Sequence, residues 1–150
     1  MSEGKGQEVF QRKLAMLQQF RADLSAYAEL DHAARRREHY AVERLLQLLC
    51  EVSADLGLQL LRAHGYRLAA SYRDVFAALR DQLGLPEELA ERLMDACAMR
   101  NLLTHLYDTI DLDRVTAAIE PALAVYEEYA EWVEAQAAGR DTSQNPDEPT

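Results

Sequence analysis

The sequence predicts an all-α domain, an antiparallel bundle of four to five helices, on three observations. Six Gly and four Pro among 150 residues are few, and Leu, Ala, Glu and Arg dominate; these are strong helix formers. Apolar residues recur at spacings of three and four through most of the chain. No stretch of useful length shows strand-like alternation. A chain of 150 residues is long enough to bury a core as one domain without staples.

A first helix is expected from about Gln7 to Leu30, where Phe10, Leu14, Leu17, Phe20, Leu24 and Tyr27 form one apolar stripe. Asp31 suits a cap for the next element. The second and longest helix should run from about His32 to His64. Its apolar positions, among them Tyr40, Leu46, Leu49, Val52, Leu56 and Leu60, make a stripe wide enough to face two neighbours. Gly65 fits its C-terminal stop.

Ser71 with Asp74 resembles a capping box for a third helix ending near Leu83, and Gly84-Leu85-Pro86 then breaks the chain. The fourth helix should run from Pro86 to about Leu106, burying Leu89, Leu93, Ala96, Cys97 and Leu103. A turn with a cap follows at Asp108 to Asp111, and a fifth helix continues to about Ala137. Pro121 lies inside that pattern, so a kink or restart is expected there. The sequence thus divides into a helical domain over 1–138 and a polar, acidic tail over 139–150 that reads as disordered.

Composition narrows the function. The formal net charge is −10, which argues against the broad basic face of an avid nucleic-acid binder and confines any RNA contact to a local site. Arg35-Arg36-Arg37 is the obvious positive cluster and reads as a solvated face near a helix start, with an RNA path or a partner contact as the alternatives. Cys50 and Cys97 each lie in an apolar helical run and read as small buried hydrophobes in a reducing compartment, not as a disulfide. No signal peptide or membrane span is expected, which makes the chain cytoplasmic. His32, His39 and His64 have no metal-ligand spacing and read as surface or helix-end residues. Tyr66, Tyr72, Tyr126 and Tyr129 are expected in the core or an interface, with Trp132 closing the last helix against the bundle.

The chemistry concentrates in Arg100-Asn101-Leu102-Leu103-Thr104-His105-Leu106-Tyr107, at the end of an apolar helix. Polar groups in such a place need partners or a task. RNA cleavage without a metal needs a base for the 2′-hydroxyl proton, an acid for the leaving oxygen and a cation for the growing phosphate charge. His105 suits the base or acid, and Arg100 suits a bidentate grip on phosphate. Asn101, four residues before His105 and on the same helical face, suits fixing the imidazole. Spacing alone equally allows a structural histidine at a capped helix end. Arg100 and His105 are five apart, about 140° around an ideal helix, so one straight helix does not aim both at one atom.

The same string resembles the Arg-(four residues)-His-X-Tyr signature of HEPN-domain proteins, specifically the HepT toxin branch. Tyr40-Ala41-Val42-Glu43-Arg44 through Asp55-Leu56-Gly57 is similar to that family's long second helix, and Ser71 to Phe76 with Leu85 to Ala90 is similar to the segment before the signature. The likeness covers about residues 7–135. It departs at Met99, where the family often has an aromatic residue, and at Thr104, where aliphatics are common. It implies an all-helical symmetric homodimer acting as a metal-independent endoribonuclease toxin. Arg100 and His105 of two subunits would then meet in a cleft at the dimer interface, supported by Asn101. It also implies a cognate MntA-like nucleotidyltransferase antitoxin that transfers AMP to Tyr107, and no metal, cofactor, DNA or membrane partner. A non-catalytic helical protein that binds nucleotide or scaffolds a nucleotidyltransferase is the alternative reading.

Overall fold

The computed structural model describes residues 2–105 and 112–143, with side chains over 4–99 and 112–139. Seven helices occur among the described residues: α1 (Ser2–Ala28), α2 (His32–Arg37), α3 (His39–Ala63), α4 (Tyr72–Leu83), α5 (Glu87–His105), α6 (Leu112–Ala117) and α7 (Ile119–Ser143). Five are long, as expected, and α2 and α6 are pieces of six residues each. The fold is all-α, and no helix among the described residues is long and apolar enough to cross a membrane.

The local signals explain most boundaries. Asp31 accepts a hydrogen bond from the Ala34 amide at 2.8 Å, and Ser71 accepts one from the Asp74 amide at 3.1 Å; each satisfies an otherwise orphaned N–H. Gly84 stops α4 with φ 78°, and the Leu85 amide reaches back to the Leu79 carbonyl at 3.2 Å. The restart expected near Pro121 occurs at Ala118, which leaves the proline in the first turn of α7, where a missing N–H costs nothing. The last helix reaches Ser143, beyond the expected Ala137; residues 144–150 of the proposed tail lie outside the described residues.

One boundary differs from expectation. The predicted helix over His32–His64 is broken at Glu38, whose backbone (φ −93°, ψ 20°) leaves the helical region. The cause is tertiary. Arg35 donates to the Ala28 carbonyl at 2.6 Å, the Leu30 carbonyl at 3.1 Å and the Glu120 carboxylate at 2.5 Å, which ties α2 across the end of α1 and the start of α7. Helix α3 instead lies along α1, so the chain bends between them.

Helices α1, α3, α5 and α7 form the body, and α4 packs on α3 and α5. Gln18 pairs with Glu134 and Arg21 with Glu127, so α1 and α7 run antiparallel. Arg92 pairs with Glu128 at one end of the α5–α7 contact and Met99 lies with Pro121 at the other, which makes these two antiparallel as well. Leu17, Leu24, Leu49, Leu56, Phe76, Leu93 and Tyr129 are completely covered at the centre. Gly57 permits a close approach of α4 to α3: a Cβ there would lie 2.7 Å from Val75 Cγ1 and 2.9 Å from Leu79 Cδ1. The expected aromatics divide. Tyr126 and Tyr129 are buried and Trp132 stacks on Tyr129, whereas Tyr66 is exposed and Tyr40, read as part of the apolar stripe, is 77% exposed.

Candidate functional site

Helix α5 ends with the signature. Its backbone is helical through His105, so Arg100, Asn101 and His105 occupy its last two turns, where an ideal helix sets positions 100 and 105 about 140° apart. Asn101 and His105 are successive positions of one face. The side chains of these three residues, and Tyr107 altogether, lie outside the described residues.

What holds that helix end is well defined. Leu89, Leu93, Met94 and Cys97 bury one face of α5. Cys97 is three residues before Arg100, and it is bonded to Cys50 of α3 across a Cα–Cα distance of 5.6 Å. This corrects the reading of two separate thiols. Helix packing brings together two buried cysteines 47 residues apart in sequence, a juxtaposition that spacing could not reveal.

Beyond the Cys50–Cys97 bond, α5 runs towards the first turns of α3. There Glu43 is buried, with one carboxylate oxygen 3.2 Å from His39 Nδ1 and the other without a hydrogen-bond partner among the described residues. His39 is thus a helix-start residue, as expected, but one committed to a carboxylate. His64 also sits at a helix end, its Nδ1 2.9 Å from the Leu60 carbonyl. No group of three metal-ligating side chains occurs among the described residues.

The arginine run is not simply a solvated face. Arg35 is the clamp described above, and hydrogen bonding to Glu120 raises its pKa further, while the same bond holds the Glu120 carboxyl below its usual range. Arg36 pairs with Asp113 at 2.5 Å, beside His32 at 3.3 Å from the same carboxylate. Arg36 and Arg37 keep the exposed character expected of all three, whereas Arg35 is half-buried. Tyr126 and Tyr129 are unsuited to proton transfer, because burial pushes both hydroxyls above their ordinary range. Tyr129 donates to the Ser53 carbonyl at 2.7 Å.

Comparison with known proteins decides the family. The family model described as ribonuclease HepT-like matches residues 10–133. The chain belongs to the ribonuclease HepT-like family. It is 30% identical over 99 residues to the tRNA nuclease HepT of Aphanizomenon flos-aquae, covering 66% of this chain and 67% of that one. The HepT-like fold is shared with a mutant toxin–antitoxin MntA–HepT pair at a TM-score of 0.76, with 20% identity over 85% of this chain and 98% of the other. It is also shared with the tri-AMPylated HEPN toxin of Shewanella oneidensis in complex with MNT antitoxin, at a TM-score of 0.60 and 23% identity, covering 87% and 95%.

Proposed function

We propose that this HepT-like protein is the toxin of a toxin–antitoxin pair and a metal-independent endoribonuclease whose site is completed by a second copy of the chain. The observation that carries this reading is the unbroken helix through His105 in a chain of the ribonuclease HepT-like family. A helix that points Arg100 and His105 some 140° apart serves one phosphodiester best when two copies face each other. Each copy then offers the arginine or the histidine that the other lacks at that point.

In this reading RNA supplies its own nucleophile. His105 takes the 2′-hydroxyl proton, or returns one to the leaving 5′-oxygen, and Arg100 holds the phosphate oxygens as charge develops. Asn101, on the same face as His105, orients the imidazole. Tyr107 is the acceptor for AMP from an MntA-like nucleotidyltransferase, and the added phosphodiester charge beside the site repels the RNA phosphate. Support for the partner comes from the fold shared with the MntA–HepT pair and with an AMPylated toxin.

The test uses purified protein and single-stranded RNA in the presence of a chelator. Cleavage is expected from the wild type and loss of at least ~100-fold from His105→Ala, the usual scale of a lost general acid or base. Undiminished cleavage by His105→Ala refutes the assignment. Mixing Arg100→Ala with His105→Ala protein should restore part of the activity if the site is shared between copies. Intact mass after co-expression with the nucleotidyltransferase should show AMP adducts that vanish in Tyr107→Phe.

A further inference from the structure

Between α3, α5 and α7 lies an open pocket of about 280 Å³. Leu46, Ala96, Met99, Pro121 and Val125 give it apolar walls, and buried Tyr126 closes its inner side. Helix α5 presents Arg92, Asp95, Ala96 and Met99 to it, the i, i+3, i+4, i+7 positions of one face. The last of these adjoins Arg100. The pocket therefore opens on the same helix as the signature, one residue away.

Its polar groups are few and specific. Arg92 is already paired with Glu128. Asp95 is exposed at the rim and makes no hydrogen bond or ion pair among the described residues. The Tyr126 hydroxyl is sealed from solvent, so the ring and not the oxygen faces the pocket. An apolar slot with one free acceptor at its mouth is built for a flat ring with a polar edge. The volume lies just under the ~300–1,000 Å³ of sites for drug-sized ligands, enough for a single bicyclic base while its ribose and phosphate stay outside.

We propose that this pocket takes an unpaired purine base, guanine best, which places the adjoining phosphodiester at the end of α5. The inference rests on the reading that the protein acts on RNA. Protein recognition of single-stranded RNA turns bases out of the stack and reads their Watson–Crick edges. A carboxylate only accepts hydrogen bonds. Guanine offers it two donors side by side, N1–H and N2–H, whereas adenine offers one amino group and uracil one imide N–H. Met99 supplies a polarizable thioether against the ring.

The experiment titrates the full chain with GMP, AMP, CMP and UMP, followed by NMR shifts of α5 and α7 amides, beside mapping of cut sites in a single-stranded RNA of mixed sequence. GMP is expected to bind at least about tenfold tighter than UMP, the scale of one charge-assisted hydrogen bond. Ala96→Trp, which fills the pocket, should abolish GMP binding, and Asp95→Asn should erase the preference; unchanged circular dichroism and melting show that both still fold. In RNA, cuts should cluster beside guanines in the wild type and lose that bias in Asp95→Asn. GMP binding without any RNA cleavage would support the pocket while refuting the ribonuclease reading. Cleavage with no base bias and no effect of Ala96→Trp would refute the pocket alone. Absent nucleotide binding, with a dimer that dissociates in Ala96→Trp, would overturn it by making a second copy the occupant.

Discussion

Replacing Gly57 by alanine sets two effects of known sign against each other. A glycine inside a helix costs about 0.5–1 kcal/mol relative to alanine, so on propensity alone Gly57→Ala stabilises α3. The new methyl, however, would lie 2.7 Å from Val75 Cγ1 and 2.9 Å from Leu79 Cδ1, with the Tyr129 hydroxyl at 3.3 Å. Carbon atoms prefer separations of about 3.5–4.0 Å, so α4 must retreat by roughly 0.8 Å or more. Neither neighbour yields easily: Val75 is 2% exposed and stiff at χ1, and Leu79 is fully covered. Overpacking of this kind costs about 1–3 kcal/mol, which outweighs the gain and leaves a net loss of about 1–2 kcal/mol. Urea denaturation measures it as a lower midpoint at unchanged slope. Val75→Ala should cost less in the Gly57→Ala background than alone, because it relieves the clash. A Gly57→Ala protein as stable as the wild type, or additive behaviour of the pair, would refute the close-approach argument.

Four further outcomes follow from the same packing. Reduction of Cys50–Cys97 opens a link between residues 47 apart, which the chain-entropy relation values at about 4 kcal/mol; unfolding with and without reductant, beside thiol titration, checks this. Arg35→Met removes the donor shared by the Ala28 and Leu30 carbonyls and Glu120, and should lower the melting temperature more than Arg37→Met, since Arg37 is exposed. The Glu120 carboxyl is held below its usual range mainly by its hydrogen bond to Arg35. Its contribution is therefore present above the ordinary carboxylate pKa and lost as pH falls through the lowered one, so Glu120→Gln should flatten the acid limb of stability against pH. Ser53→Ala should be neutral or stabilising by up to about 1 kcal/mol, because the buried Ser53 hydroxyl has no partner among the described residues and α3 gains a better helix former.

How much was legible in the sequence depended on the range of the interaction responsible. The caps at Asp31 and Ser71, the stop at Gly84 and the restart ahead of Pro121 are decided within a few residues, and the structure has them where local chemistry puts them. The break at Glu38 was not legible, because it follows from Arg35 reaching Glu120, 85 residues away. Nor was the joining of Cys50 to Cys97, or the exposure of Tyr40 on a helix whose other apolar positions are mostly covered. The signature itself was legible as a pattern, since order and spacing carry it. Its first six residues lie on the closing turns of α5, and the rest lie outside the described residues; the pocket beside Met99 needed three helices to be in place.

The Cys50–Cys97 bond also changes what a cut in the backbone means. It encloses the second half of α3, all of α4 and the first half of α5 in one covalent ring. The exposed connection after α3, around Gly65 to Leu68, lies inside that ring and is the kind of segment proteases nick first. A single cleavage there leaves one molecule rather than two, with the signature helix still fastened to α3. Only reduction followed by unfolding would release the halves, so in the oxidised protein scission of this exposed connection separates nothing.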